Sequence, residues 1–90
     1  MEQSLIKPPR DVELGELSAK VFDILARYTA FPWPVLKAQA HRKSAPPEDL
    51  TPAQLADLVE HLVRGVERFT SPETGLRVRA DLEALLRAYG

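Results

Sequence analysis

The sequence predicts a small all-α protein, a four-helix bundle built from two helical hairpins with a short second helix. Leucine and valine recur at spacings of three and four residues in three long segments, which is the period of an amphipathic helix. Two of these segments open with Thr-Pro or Ser-Pro, a pattern typical of a helix N-terminus. Helices joined by short connections pack as antiparallel neighbours, which gives the hairpins.

The 90 residues are predicted to form one domain, with a tail over residues 1–10. A content of 44% hydrophobic and 28% charged residues is typical of a globular chain and not of a disordered one. No run of 18 apolar residues and no signal-peptide pattern occurs, so neither a membrane span nor secretion is predicted. Absence of cysteine excludes disulfides, thiolate metal sites and cysteine nucleophiles, and it favours a cytoplasmic location.

Thermolabile residues are rare, since asparagine is absent and Met1 is the single methionine. Their loss is a trend of thermophile proteins. A GC-rich genome would produce much of the same bias, so both explanations stay open.

The clearest helix start lies in the segment "LTPAQL", residues 50–55. Thr51 is expected to cap the helix, Pro52 suits its first position, and Gln54 completes a capping box. The leucines at the two ends of the segment occupy the positions that pack together as a hydrophobic staple. The pattern predicts a helix over residues 52–69.

The other helices are predicted over residues 11–29, 34–42 and 72–89. Asp11 is the candidate cap of the first, and Ser71 repeats the cap-then-proline start for the last. The short second helix ends before "SAPPED", where two prolines are expected to impose an extended linker.

The stretch "RYTAFPWP", residues 27–34, concentrates aromatic rings and prolines. Phe31 and Trp33 each precede a proline, which disfavours helical conformation at both, so "AFPWP" is predicted to form an extended corner. Rings on such a corner either fold inward as a lid on the core or stay exposed as anchors for a partner. The sequence leaves both alternatives open.

The same Arg-aromatic-Thr ending recurs in the third helix, where Phe69 takes the place of Tyr28. Both rings are therefore expected to be core residues in the last turn of their helices. An alignment of residues 14–29 with residues 55–70 also matches at the leucine positions. Because any two amphipathic helices align in this way, an internal duplication is one explanation and not the only one.

A net charge of −1 hides an uneven distribution. Residues 30–47 carry Lys and Arg but no acid, whereas residues 48–60 carry acids but no Lys or Arg. This arrangement argues against a surface that faces nucleic acid throughout, and it suits self-association or a mixed-charge partner.

No constellation that chemistry requires is present in the sequence. There is no glycine-rich phosphate loop, nucleophile elbow or His-Glu-x-x-His pattern. Asp57 and His61 lie one helical turn apart, but we interpret them as a solvated pair on a polar helix face. The sequence predicts no catalysis, no cofactor and no metal site.

We therefore expect a non-catalytic protein–protein interaction or adaptor module that self-associates as a homodimer or binds another protein. The short, alanine-rich second helix is expected to leave an apolar groove between the long helices, which a second copy or a partner helix would fill. The candidate partner-binding residues are Phe31, Trp33, Lys37, Arg42 and Lys43.

The alternative is a small DNA- or RNA-binding regulatory protein, because cations near aromatic rings bind phosphates and stack on bases. Against it stand a pI of about 6.1 and the tendency of cations to stabilise any helix C-terminus. The candidate nucleic-acid contacts are Lys37, His41, Arg42, Lys43, Arg77 and Arg79.

Overall fold

Four α-helices account for most of residues 12–89, the part of the chain that the computed structural model describes. They are α1 (Glu16–Tyr28), α2 (Pro32–Arg42), α3 (Pro52–Glu67) and α4 (Pro72–Tyr89). Each helix packs against its neighbours in sequence and α1 also packs against α4, which closes a ring with α2 and α4 on opposite sides. The contact between α3 and α4 is the most extensive. The predicted small all-α four-helix bundle with a short second helix is confirmed.

The N-terminus of α3 has the predicted capping box. The Gln54 amide donates to the Thr51 hydroxyl at 3.2 Å, and the Thr51 amide donates to the Gln54 side-chain oxygen at 3.0 Å. Leu50 and Leu55, the residues of the predicted staple, are both buried. Caps of this kind stabilise a helix by about 1 kcal/mol. Ser71 acts in the same way at the start of α4, where its hydroxyl accepts the Thr74 amide at 3.2 Å.

The prediction that α1 starts at residue 11 is wrong, because the helix begins at Glu16. Gly15 is extended, with φ −62° and ψ 169°, and its amide donates to the Glu48 carbonyl at 2.8 Å. This bond to a distant part of the chain holds the residue outside the helix. Asp11, the predicted cap, lies outside the described residues.

The predicted extended corner at "AFPWP" is also wrong, because α2 begins at Pro32 rather than at residue 34. Only Phe31 is non-helical, with φ −123° and ψ 51°. The first amides of a helix have no intrahelical partner, so Pro32 and Pro34 remove no hydrogen bond from the first turn. Trp33 between them is helical despite the steric bias of a residue that precedes proline.

The C-terminus of α2 is closed by a Schellman motif. The Ala45 amide donates to the Ala40 carbonyl at 2.9 Å, and the Ser44 amide donates to the His41 carbonyl at 3.1 Å. Ser44 has φ 55°, the left-handed conformation that glycine usually supplies at this position. The motif turns the chain back toward the bundle and buries Ala45.

The linker between α2 and α3, residues 43–51, packs against the start of α1. It is not extended as predicted, because the Asp49 amide donates to the Pro46 carbonyl at 3.2 Å and closes a turn. Beyond this turn the Leu50 amide donates to the buried Ser18 hydroxyl at 2.8 Å. Together with the bond from Gly15 to the Glu48 carbonyl, these contacts tie the linker to α1.

The core extends through all four helices and the linker. Gly65 lies where α2 crosses α3, and a Cβ there would approach Val35 Cγ1 to 3.0 Å, so the glycine permits close approach and marks no break. Ala45 and Leu50 of the linker join the same core. Its fully buried aliphatic side chains are Leu25, Leu36, Leu55, Leu58, Leu62, Leu82, Val21, Val66 and Val78.

The expected apolar groove is not found among residues 12–89. Leu76 is the one exposed leucine or valine in this part of the chain. Ala45 and Leu50 of the linker are buried in the same core, so this segment covers apolar surface in addition to the four helices.

A polar contact joins α1 to α4. The Tyr28 hydroxyl donates to Asp81 Oδ2 at 2.6 Å, and Arg27 lies 3.5 Å from the same oxygen. The bond to the carboxylate, helped by partial burial, raises the pKa of Tyr28 above its ordinary value. This hydrogen bond therefore stabilises the folded state as long as the Tyr28 hydroxyl is protonated.

Ser18→Ala tests the bond between the linker and α1. The substitution leaves the buried Leu50 amide without its acceptor, so we expect the free energy of unfolding to fall by about 1–3 kcal/mol. Urea denaturation measures the change. Lys37→Ala, at an exposed position of α2, serves as the control with an expected change within about 0.5 kcal/mol. A loss for Ser18→Ala no larger than that of the control would contradict the role of this bond.

Tyr28→Phe tests the contact between α1 and α4. We expect a loss of about 1 kcal/mol near neutral pH, because a half-exposed hydrogen bond contributes modestly. Since the raised pKa lies above the ordinary 10.0, the contribution is fully present below pH 10 and is lost as the pH rises through the raised pKa. The stability difference between wild type and variant should therefore shrink above about pH 10 in urea denaturation. A difference that grows there would contradict the assignment.

Candidate interaction surface

Two aromatic rings lie side by side at one end of the bundle. Phe31 precedes α2 and Phe69 follows α3, and their ring centroids are 5.5 Å apart with an interplanar angle of 46°. Their side chains remain 37% and 60% exposed. Tilted pairs at this separation attract each other by about 0.5–1.5 kcal/mol. We call the end of the bundle that carries Phe31 and Phe69 the aromatic end.

The prediction that Phe69 is a core residue in the last turn of α3 is wrong. The helix ends at Glu67, and the chain then turns, with the Phe69 amide bound to the Val66 carbonyl at 3.0 Å. Four residues must connect Glu67 to Pro72, so the ring lies on the turn and points outward. Tyr28, in contrast, lies within α1 and is half-buried against the core. The internal duplication stays a prediction.

The two alternatives for the aromatic stretch apply to different residues. Trp33 is half-buried and packs against the core, as expected of a lid. Phe31 is exposed, and its amide donates to the hydroxyl of buried Thr29 at 3.1 Å, which fixes the backbone that carries the ring. The exposed anchor is thus Phe31 together with Phe69, which the sequence had assigned to the core.

Cations follow the exposed side of α2 and continue into the linker. Pro34, Lys37, Ala38 and His41 have the three-four spacing of one helix face, and all are exposed. At a rise of 1.5 Å per residue, Phe31 and Arg42 are about 16 Å apart along the axis. Apart from Trp33, the predicted partner-binding residues therefore comprise a ring at the start of α2 and cations that run from the middle of the helix to just beyond its end. We call the following set the α2 surface: Phe31, Phe69, Lys37, His41, Arg42 and Lys43.

The cations of the α2 surface take part in none of the ion pairs within residues 12–89. Those pairs are Lys20–Glu16, Arg27–Asp81 and Arg79–Glu60. Residues 30–47 also contain no acid of their own. A carboxylate from outside the chain would therefore meet cations that no acid of residues 12–89 has paired.

The two arginines of α4 that were candidate nucleic-acid contacts lie elsewhere. Arg79 binds Glu60 of α3 through two hydrogen bonds, one of them 2.9 Å long, and its guanidinium lowers the pKa of Glu60. Arg77 is exposed but belongs to α4, across the bundle from α2. The six candidates therefore do not form one continuous surface.

Residues 12–89 hold little that resembles a reaction site. No group of three or more His, Asp or Glu side chains in this range could hold a metal ion. A shallow cleft of about 350 Å³ lies between α1 and α4, but its Arg27 and Asp81 already pair with each other. The residues that line it are Lys20, Asp23, Ile24, Arg27, Asp81, Ala84 and Leu85.

Sequence reasoning missed the contact of Phe31 with Phe69, although a signal for it was present. In a bundle of antiparallel hairpins, the first and third helices end on the same side. The loops that follow α1 and α3 must then lie close together. The position of both rings at one end follows from topology, whereas their exposure depends on where each helix stops.

Comparison with protein-family models, curated proteins and solved structures finds no match. No helix within residues 12–89 combines the length and the apolar character needed to cross a membrane. Functional inference for this chain therefore rests on its own contacts, exposure and charges.

Replacing each ring by alanine separates the lid from the anchor. Trp33→Ala removes a ring that packs on the core, so we expect the free energy of unfolding to fall by about 2 kcal/mol, less than for a fully buried ring. Phe69→Ala removes an exposed ring and should cost less than about 1 kcal/mol. Urea denaturation measures both. Equal losses for the two variants would place Phe69 in the core and contradict its assignment as an anchor.

Proposed function

We propose that this protein is a non-catalytic protein–protein interaction module whose contact surface is the α2 surface. One observation carries the proposal: two aromatic rings are exposed side by side, while the other large apolar side chains of residues 12–89 except Leu76 are buried or half-buried. Among residues 12–89, the exposed large hydrophobic side chains are Phe31, Phe69 and Leu76. Leu76 lies on α4, whereas the rings of Phe31 and Phe69 pack side by side as an apolar pair.

The backbone around the aromatic pair favours such a role. Aromatic side chains are enriched among the residues that dominate binding energy. The hydrogen bond of Phe31 to Thr29 and the prolines of the first turn of α2 restrict the backbone there. Restriction before binding lowers the entropy lost when a partner docks.

The partner in this proposal is a second copy of the chain or another protein. Two copies could join through their aromatic ends about a two-fold axis, which would bury the rings of both. Another protein could instead contact the rings and the cations of α2 together. A cytoplasmic location, which the absence of cysteine favours, belongs to the same proposal.

Nucleic-acid binding is the second candidate, and the presence of exposed cations and exposed rings on the α2 surface favours it. Its electrostatic contribution is small, because Lys37, Arg42 and Lys43 neutralise only about three phosphates. The net charge of −1 supplies no general attraction for a polyanion. Arg79 is already bound to Glu60, which removes one further candidate contact. We therefore prefer the protein partner.

Site-specific photocrosslinking in the native host tests the proposal. A benzophenone amino acid is placed at Phe69 in one variant and at Arg87, near the opposite end of α4, in a control variant. Both positions are exposed. We expect a discrete protein adduct from position 69 and none from position 87. An adduct of twice the chain's mass would identify a second copy, and any other protein adduct would identify a different partner.

Two results would contradict the proposed function. Equal crosslinking from both positions would mean that the aromatic end has no special role. An adduct from position 69 that nuclease digests, or no adduct from it at all, would remove the support for a protein partner there.

A further inference from the structure

We infer that the α2 surface binds an acidic amphipathic segment of a different protein. An apolar side chain of that segment contacts the Phe31–Phe69 pair. Its carboxylates lie along Lys37, Arg42 and Lys43. This inference rests on the proposed function and specifies the chemistry of the partner.

Charge complementarity identifies the carboxylates. The α2 surface presents three permanent cations and His41, without an acid anywhere in residues 30–47. Each cation is exposed, and none is paired within residues 12–89. Opposite charges across an interface mainly fix orientation and partner choice, while an apolar anchor supplies most of the affinity. On the α2 surface the cations fix orientation and partner choice, and the Phe31–Phe69 pair is the apolar anchor.

The spacing of the two groups sets the length of the segment. About 16 Å separates Phe31 from Arg42 along α2. A helical partner spans this distance with about eleven residues, and an extended one with about five. The apolar residue and the acidic cluster therefore lie two to three helical turns apart, or at opposite ends of a short strand.

Two copies that pair through their α2 surfaces alone do not supply carboxylates to each other. If two α2 surfaces pair in the same direction, cations face cations. If they pair in opposite directions, cations face the rings of the other copy, and no ion pair forms in either case. A two-fold contact that places the cations of each copy against Glu48 and Asp49 of the other does form ion pairs, so dimerisation of the wild-type chain at the concentrations of the titration would overturn the inference.

Nucleic acid fits the same surface less well than an acidic peptide. A polyphosphate chain that continued past Lys43 would meet the exposed carboxylates of Glu48 and Asp49, which follow within six residues. A peptide can confine its acids to the length of α2. A uridine oligonucleotide titrated beside the selected peptide tests RNA as the alternative ligand.

Selection from a library of random linear peptides, displayed on phage and applied to the immobilised full chain, tests the inference. We expect enriched sequences that combine an aromatic or large aliphatic residue with an acidic cluster. A synthetic copy of an enriched peptide is then titrated against the protein. Trp33, the single tryptophan, packs at the start of α2 and reports binding through its fluorescence.

Matched variants show where the peptide binds. Lys37→Glu with Lys43→Glu should weaken binding at least tenfold, and Phe69→Ala should do the same. Arg87→Glu, a charge reversal at an exposed cation of α4, should leave the affinity within twofold. Added salt should weaken binding of the wild type, because exposed charge pairs are screened.

Several results would overturn the inference. In the first, the selected peptides lack acidic residues, or no peptide is enriched. In the second, the loss of affinity for the double variant Lys37→Glu with Lys43→Glu equals that for Arg87→Glu. In the third, a uridine oligonucleotide binds more tightly than any selected peptide. A protein adduct from position 69 combined with non-acidic selected peptides would leave the proposed function standing and reject only the inference.

Discussion

The buried hydroxyl of Ser18 accepts the amide of Leu50, and this bond positions the linker on which the closed shape of the bundle depends. Leu50 precedes the cap of α3, so the bond also fixes where that helix begins relative to α1. The same placement brings the Leu50 side chain into the core. A polar contact thus decides how apolar surface is buried, because a buried amide without an acceptor would be costly.

Because the core is closed, the exposure of Phe31 and Phe69 needs an explanation of its own. In a bundle with an open groove, Phe31 and Phe69 would be two among many exposed apolar groups. Here the linker, the close approach at Gly65 and the long α3–α4 contact bury the aliphatic side chains of α3. Rings that remain exposed under these conditions are not a consequence of poor packing. They lie on short turns next to helix ends, where an exposed ring is held in place without contributing much to stability.

Helix caps, which join residues close in sequence, could be predicted from the sequence, whereas contacts between residues distant in sequence could not. The caps at Thr51 and Ser71 were predicted because a cap involves residues three apart. The start of α1 was missed because Gly15 gives its amide to Glu48, far along the chain. Phe69 was misplaced because apolar periodicity continues past the point where the turn to α4 ends the helix. Phe31 and the basic residues of the α2 surface were predicted as contacts, whereas Phe69 was assigned to the core and Trp33 was offered in its place.

The residues that stabilise the fold and those of the proposed contact surface lie on different parts of this architecture. The side chains that hold the bundle together belong to α1, α3, α4 and the linker, and α2 adds to them only through its inner side. Its outer side carries Lys37, His41 and Arg42, which contact no other charged group within residues 12–89 at ion-pair distance. Exposed substitutions of this kind rarely change stability by more than about 0.5 kcal/mol. The outer side of α2 is therefore free to vary in charge while the fold persists, which is the physical condition for a surface that selects its partner by charge.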